Sequence, residues 1–221
     1  MLIVLEGLDG AGKSTQINLL QTYFEKRSTP VRFIHFPRFD SPVFGELIAK
    51  FLRGDLGKIE EVHPMLVALL FAGDRKEASS QINDWLKMGC TVILDRYVYS
   101  NIAFQCAKCS DESEASGLRD WILDTEYNEF GIPRPDMNLF LDVPIRFVDT
   151  KLKEQRGGEE REYLKGKQDI HEESISFQSR VRDIYLSECN RGDDLVRVEC
   201  FDTLGDMLPA QKIHQKITDL I

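Results

Sequence analysis

Residues 5–15 read Leu-Glu-Gly-Leu-Asp-Gly-Ala-Gly-Lys-Ser-Thr, directly behind the apolar opening Met-Leu-Ile-Val. Gly7, four residues, Gly12, Lys13 and Ser14 satisfy the G-x-x-x-x-G-K-[ST] spacing of a phosphate-binding loop. The glycines let the backbone curl until successive N–H groups point at one anion. The lysine then reaches the β and γ phosphates, and the serine hydroxyl can ligate Mg²⁺. The flanks agree. Leu2, Ile3, Val4 and Leu5 form a short apolar run suited to a buried parallel strand, and Ile17, Leu20 and Phe24 recur at i, i+3 and i+7, as on an amphipathic helix. Strand, glycine loop and helix therefore follow in the order the motif requires. A glycine turn matching by chance needs no such flanks, whereas a loop that binds phosphate without catalysis would share them.

The chain of 221 residues is long enough for one sizeable α/β domain and short for two, so we expect a single domain over residues 1–221. No apolar run approaches the ~20 residues needed to span a bilayer, and the N-terminus starts as a strand with no basic stretch. The expected setting is cytoplasmic, without a membrane partner. Five cysteines, an odd number, fit a reducing compartment better than a disulfide framework. Cys106 and Cys109 make one isolated C-x-x-C and the four histidines are scattered, which suits a helical turn better than a zinc site. A net charge of −9 argues against a nucleic acid polymer, which needs a broad cationic surface. A small phosphorylated ligand remains compatible, because a few focused donors can outweigh the long-range field.

Five strand candidates alternate with helical stretches: residues 2–5, 31–36, 91–95, 138–142 and 195–200. The alternation predicts a doubly wound, five-stranded parallel sheet flanked by helices, with ligands at the carboxyl ends of the strands. Strand two runs into Phe36-Pro37-Arg38, which places Arg38 toward the crevice, and Ser41-Pro42 reads as the N-cap and first residue of the next helix. A helix from about Pro64 to Met88 carries Phe71 and Arg75 at i and i+4 on one face. A ring beside a guanidinium suits a flat base, though core packing and a surface ion pair explain the same pattern. Strand three ends in Asp95-Arg96, where an acid beside the phosphate loop suits a Mg²⁺-related role and the arginine suits a second phosphate. In the helix that follows, Ser100 and Phe104 share a face, with Asn101 one step round. Residues 151–173 mix basic and acidic side chains around Gly157-Gly158. They read either as a solvated charged excursion or as a mobile lid that closes arginines over the phosphoryl group.

Taken together, Glu6-Gly-Leu-Asp-Gly-Ala-Gly-Lys-Ser-Thr15, Phe36-Pro-Arg38, Leu69-Leu-Phe-Ala-Gly-Asp-Arg75, Asp95-Arg-Tyr-Val-Tyr-Ser-Asn-Ile-Ala-Phe-Gln105, Pro133-Arg-Pro-Asp136 and the charged lid resemble the thymidylate kinases. These are P-loop nucleoside-monophosphate kinases that phosphorylate dTMP with ATP. The resemblance covers essentially the whole chain, and it implies a role for each matching position. Gly7, Leu8, Asp9, Gly10, Ala11, Gly12, Lys13 and Ser14 would hold the ATP phosphates, and Ser14 with Asp95 would hold Mg²⁺. Asp9 would contact the 3′-hydroxyl side of dTMP. Phe71 would stack on thymine, Arg75 would reach its O4 edge, and Asn101 would face the base with Ser100 nearby. Phe104 would close the space of a ribose 2′-hydroxyl, Arg38 and Arg96 would bind the acceptor phosphate, and Phe36 would belong to the dTMP site. Gly10 stands where some relatives carry a catalytic arginine. The resemblance therefore assigns that charge to the lid, to Arg161 ahead of Arg156, as in the bacterial type. His171 departs from the aromatic that often precedes the position of Glu172. A homodimer is implied as well.

Two other readings compete. A deoxynucleoside kinase needs a carboxylate base to deprotonate a hydroxyl, yet strand two leads into a cation, Arg38. A guanine-nucleotide switch would carry N-K-x-D late in the sheet, where this chain has Leu141-Asp-Val-Pro144.

Overall fold

In the computed structural model the described residues are 1–59, 61–154, 164, 169, 174–192 and 194–221, with the backbone alone for 151–154. Five strands form one sheet: β1 (Leu2–Glu6), β2 (Val31–His35), β3 (Thr91–Asp95), β4 (Met137–Asp142) and β5 (Leu195–Glu199). Their order is β2-β3-β1-β4-β5, and every pairing is parallel. The alternation of apolar runs with helices thus builds the doubly wound α/β sheet of a phosphate-loop nucleotide fold, as expected.

Position in the sheet accounts for the composition of each strand. The β1 and β3 residues are all buried, and β4 nearly so, because helices cover both faces. The outer strands β2 and β5 carry exposed residues such as Arg32 and Arg197, which keep an edge from pairing with another sheet. The expected boundaries shift by one residue at four ends, where the apolar run and the hydrogen-bonded ladder part company.

The helices are α1 (Lys13–Glu25), α2 (Phe44–Leu52), α3 (Pro64–Lys87), α4 (Val98–Cys106), α5 (Glu112–Leu123), α6 (Ile145–Glu154), α7 (Ile175–Asn190) and α8 (Ala210–Thr218). A π-helical segment, Asp124–Glu129, continues α5. The inward residues of α1 are Ile17, Leu20 and Phe24, the apolar triplet of the sequence. Helix α3 begins with Pro64 after His63, whose Nδ1 accepts from the Met65 N–H at 3.2 Å. The start of α2 differs from expectation. It opens at Phe44, because the Ser41 hydroxyl accepts from the Gly45 N–H (2.8 Å) while the Ser41 N–H closes a turn on the Arg38 carbonyl (3.0 Å). Pro42 therefore lies in a turn ahead of the helix.

Candidate active site

The two inner strand tips fix the site. Leu5 on β1 sits opposite Asp95 on β3, so the loop that leaves β1 and the Asp95-Arg96 pair emerge side by side. Both line a cleft of about 880 Å³ at the carboxyl ends of the strands, where order reversal opens a crevice. The loop's first glycine is required by the backbone. Gly7 has φ of 149°, and a Cβ there would stand 3.1 Å from the Leu141 carbonyl oxygen of β4.

At the donor end, Lys13 opens α1 with its ammonium buried. Nζ donates to the Leu8 carbonyl at 3.1 Å and lies 3.8 Å from Asp95 Oδ1. Burial, reinforced by the neighbouring Arg96 charge, lowers the Lys13 pKa from its ordinary value. Burial works to raise the Asp95 pKa, but the Lys13 charge and the His35 contact outweigh it, so the carboxylate stays below its ordinary value. Asp95 Oδ2 approaches His35 Nδ1 at 3.2 Å, whereas Oδ1 is buried without a hydrogen-bond partner. An orphaned carboxylate oxygen, with the Ser14 hydroxyl exposed on the same cleft, is an oxygen donor set that fits Mg²⁺.

Further along the cleft, Arg96 Nη2 donates to Asp9 Oδ1 at 2.6 Å. Burial opposes the Asp9 charge, yet Arg96 and Lys13 hold its carboxyl below the usual range. Arg96 adopts a left-handed φ of 69°, a conformation that needs support from its surroundings. That support is a buried network. Arg96 Nη1 donates to the Ser100 hydroxyl (3.2 Å), which in turn donates to Glu6. Glu6 also accepts from the Tyr97 N–H (2.9 Å) and the Tyr185 hydroxyl (3.0 Å). Burial raises the Glu6 pKa, and the surrounding donors and Arg96 work against that rise. Ser100, expected on the substrate, is thus tied into the structure that aims Arg96.

Arg38, expected on the acceptor phosphate, is tied to α3: its backbone N–H and Nε donate to Asp74 (2.8 and 2.9 Å), and Nη2 donates to Glu77 (2.7 Å). The aromatic neighbours Phe36 and Phe39 line the cleft. At the far end Phe71 is half-buried on the cleft wall, one turn before Arg75. The ion pair of Arg75 is buried rather than superficial. Nε and Nη2 donate to Glu126 at 2.5 and 2.7 Å, with 2% of Arg75 and 0% of Glu126 exposed. Asn101 Nδ2 donates to Glu126 Oε1 and to the Ala68 carbonyl, both at 3.0 Å, while its Oδ1 is buried without a partner. Phe104 closes the middle of the cleft, its ring centroid 5.1 Å from the Arg96 guanidinium carbon.

The structure therefore brings Asp9, Lys13, Ser14, Phe36, Phe71, Arg75, Asp95, Arg96, Ser100, Asn101 and Phe104 to one cleft. Arg156, Arg161, His171 and Glu172 lie outside the described residues, as does most of the lid. Sequence reasoning passes over Glu6, Glu126 and Tyr185. An acid ending a fully apolar strand is a readable signal for Glu6, whereas Glu126 stands 51 residues from Arg75 and Tyr185 stands 179 from Glu6, with no local pattern.

With this geometry in place, the chain matches the thymidylate kinase family model over residues 5–200. It is 32% identical over 193 residues to a thymidylate kinase of Mycobacterium tuberculosis, covering 87% of each chain. It is 32% identical over 225 residues to a probable thymidylate kinase of Thermococcus kodakarensis, covering 100% of this chain and 91% of the relative. Its fold is similar to a solved thymidylate kinase from Candida albicans, with a TM-score of 0.72 and 26% identity over 100% of this chain and 90% of that one.

Proposed function

Because the chain belongs to the thymidylate kinase family, whose ATP-dependent enzymes convert dTMP to dTDP, we propose that its cleft divides into a donor half on residues 7–14 and an acceptor half between Asp9 and Arg75. The activity itself, transfer of the γ-phosphoryl group of ATP to dTMP, follows from the family. One observation carries the division: the phosphate loop, the Asp9–Arg96 pair and the Phe71 ring line one cleft.

In the donor half, backbone N–H groups of residues 7–14 cradle the phosphates and Lys13 neutralises their charge. Ser14 and Asp95 would hold Mg²⁺, which supplies positive charge to the β and γ oxygens when bound. In the acceptor half, Phe71 covers one face of thymine, Arg75 Nη1 reaches O4, and Asn101 Oδ1 accepts from N3–H. Asp9 meets the 3′-hydroxyl side of the sugar, and Phe104 fills the space of a 2′-hydroxyl. Arg96 releases part of its hold on Asp9 to bind the acceptor phosphate. A phosphate monoester oxygen is already ionised at neutral pH, so no general base is demanded. The protein's contribution is alignment and positive charge around a loose, anionic transition state. From the sequence alone, lid residues 151–173 add Arg161, ahead of Arg156, and exclude water that would otherwise take the phosphoryl group.

The proposal extends to a cytoplasmic enzyme made of one domain over residues 1–221 and working as a homodimer. The five cysteines are free thiols, no described helix is long and apolar enough to cross a membrane, and α3 exposes Met65, Leu66 and Leu69.

ADP release with Mg-ATP tests the reading, with dTMP, dUMP, dCMP, the ribose analogue of dTMP and thymidine as acceptors. Turnover with dTMP should far exceed that with the ribose analogue and vanish with thymidine. Turnover with thymidine alone would overturn the acceptor half. An Arg161→Ala variant with unchanged turnover would remove the lid assignment.

A further inference from the structure

Glu126 belongs to none of the motifs that mark the cleft. It sits in the π-helical segment after α5, fully buried, and reaches the two groups at the base end of the cleft at once. Oε2 accepts from Arg75 Nε (2.5 Å), while Oε1 accepts from both Arg75 Nη2 (2.7 Å) and Asn101 Nδ2 (3.0 Å). The other Asn101 amide proton goes to the Ala68 carbonyl of α3 (3.0 Å).

This arrangement fixes which end of the Asn101 amide is committed to the protein and which is left for a ligand. A flipped amide would set Oδ1 against a carboxylate and a carbonyl, acceptor against acceptor, and would strand both protons of Nδ2. Oδ1 is instead left buried without a partner, on a residue that is 3% exposed and lines the cleft. A buried acceptor of this kind costs stability until a donor meets it. Arg75 is constrained in the complementary sense. With Nε and Nη2 committed to Glu126, Nη1 is the nitrogen left for a ligand, and it can only donate.

An acceptor beside a donor reads one class of pyrimidine edge. A keto pyrimidine offers N3–H as donor and O4 as acceptor, whereas an amino pyrimidine offers the reverse: N3 as acceptor and N4–H₂ as donor. We infer that Glu126 is the positioning residue for base choice, locking Asn101 as acceptor and Arg75 as donor so that keto pyrimidine monophosphates are taken and amino ones refused. The inference rests on the reading that the base lies against Phe71. It concerns a residue that touches no substrate and acts through two that do.

The test compares dTMP, dUMP and dCMP as acceptors for the parent enzyme, Glu126→Gln and Glu126→Asp, with KM and kcat separated. In Glu126→Gln the amide can present its NH₂ to a flipped Asn101, so that the Ala68 carbonyl alone opposes the flip and the lock is weakened. The dTMP-to-dCMP ratio of kcat/KM should then fall roughly tenfold or more, mainly through KM. The dTMP-to-dUMP ratio should hold, since both bases carry N3–H and O4, and Glu126→Asp should recover part of the discrimination. Equal losses on dTMP and dCMP, with their ratio kept, would make Glu126 a structural ion-pair partner and overturn the inference. A parent enzyme inactive on dTMP would instead overturn the reading beneath it. Side-chain amide NMR of the unmodified protein gives an answer independent of how the variants fold. Both Asn101 Nδ2 protons should be protected from exchange with and without dTMP, and exchange at the rate of a free amide would overturn the lock.

Discussion

Lys108 illustrates a single side chain whose energetics are set by its surroundings. Its ammonium lies 4.7 Å over the Phe51 ring and donates to Gln105 Oε1 at 2.7 Å. Burial pushes its pKa down to about 7, against the raising effect of Asp169. In the unfolded chain the same amine titrates near 10.4. Between these values the unfolded state holds a proton that the folded state has released, so stability rises with pH across the window and the penalty is complete below about 7. A Lys108→Met variant removes it. The melting temperature of the variant should exceed the parent's most near pH 6, and the gap should close toward about pH 10, with a slope of at most ~1.4 kcal/mol per pH unit. A gap independent of pH would mean that the amine is not desolvated. At this scale the sequence is legible where chemistry is local. Gly7, Lys13 and Ser14 announce themselves by spacing, and Asp95 by its place at a strand tip. The partner that holds Arg75 comes from 51 residues away, and the hydroxyl that meets Ser100 belongs to Tyr185, 85 residues on. The pattern around Arg75 could name a pairing but not its depth, because burial of a charge depends on which element packs over it.

Among the elements, the five strands follow from apolar runs, and their order separates three buried strands from two with exposed residues. The start of α2 escapes the same reasoning, because it depends on how closely two backbones approach. Gly45 packs on the turn that leaves β2: a Cβ there would lie 2.5 Å from the Phe39 carbonyl oxygen and 2.6 Å from that of Arg38. Neither atom is a flexible side-chain end that could yield cheaply. Gly45→Ala should therefore displace the turn and destabilise the protein by about 1–3 kcal/mol in chemical denaturation. Phe36, Pro37 and Phe39 of that turn line the cleft, so KM for dTMP should rise more than kcat falls. A variant as stable as the parent, with the parent's KM, would show that α2 does not set the position of the turn.

Taken whole, the molecule carries a net charge of −9 yet gathers Lys13, Arg75 and Arg96 around one cleft, which suits a small anion and leaves the outer surface to other contacts. Helix α3 joins the two regions. One side carries Phe71 and Arg75 to the cleft, while near its N-terminus Met65, Leu66 and Leu69 are 37%, 62% and 42% exposed. Their spacing of i, i+1 and i+4 sets them on a common flank, and a two-fold contact would lay that flank against the same flank of a second copy. Sedimentation equilibrium should then give twice the 25.4 kDa of one chain, and the double variant Leu66→Glu, Leu69→Glu should give a single chain, since like charges would face each other across the axis. Loss of the second copy would also free the outer side of the helix that carries Phe71 and Arg75. The monomeric variant should accordingly bind dTMP more weakly while its affinity for ATP holds. A parent enzyme sedimenting at 25.4 kDa, or a double variant that still dimerises, would remove α3 from the interface.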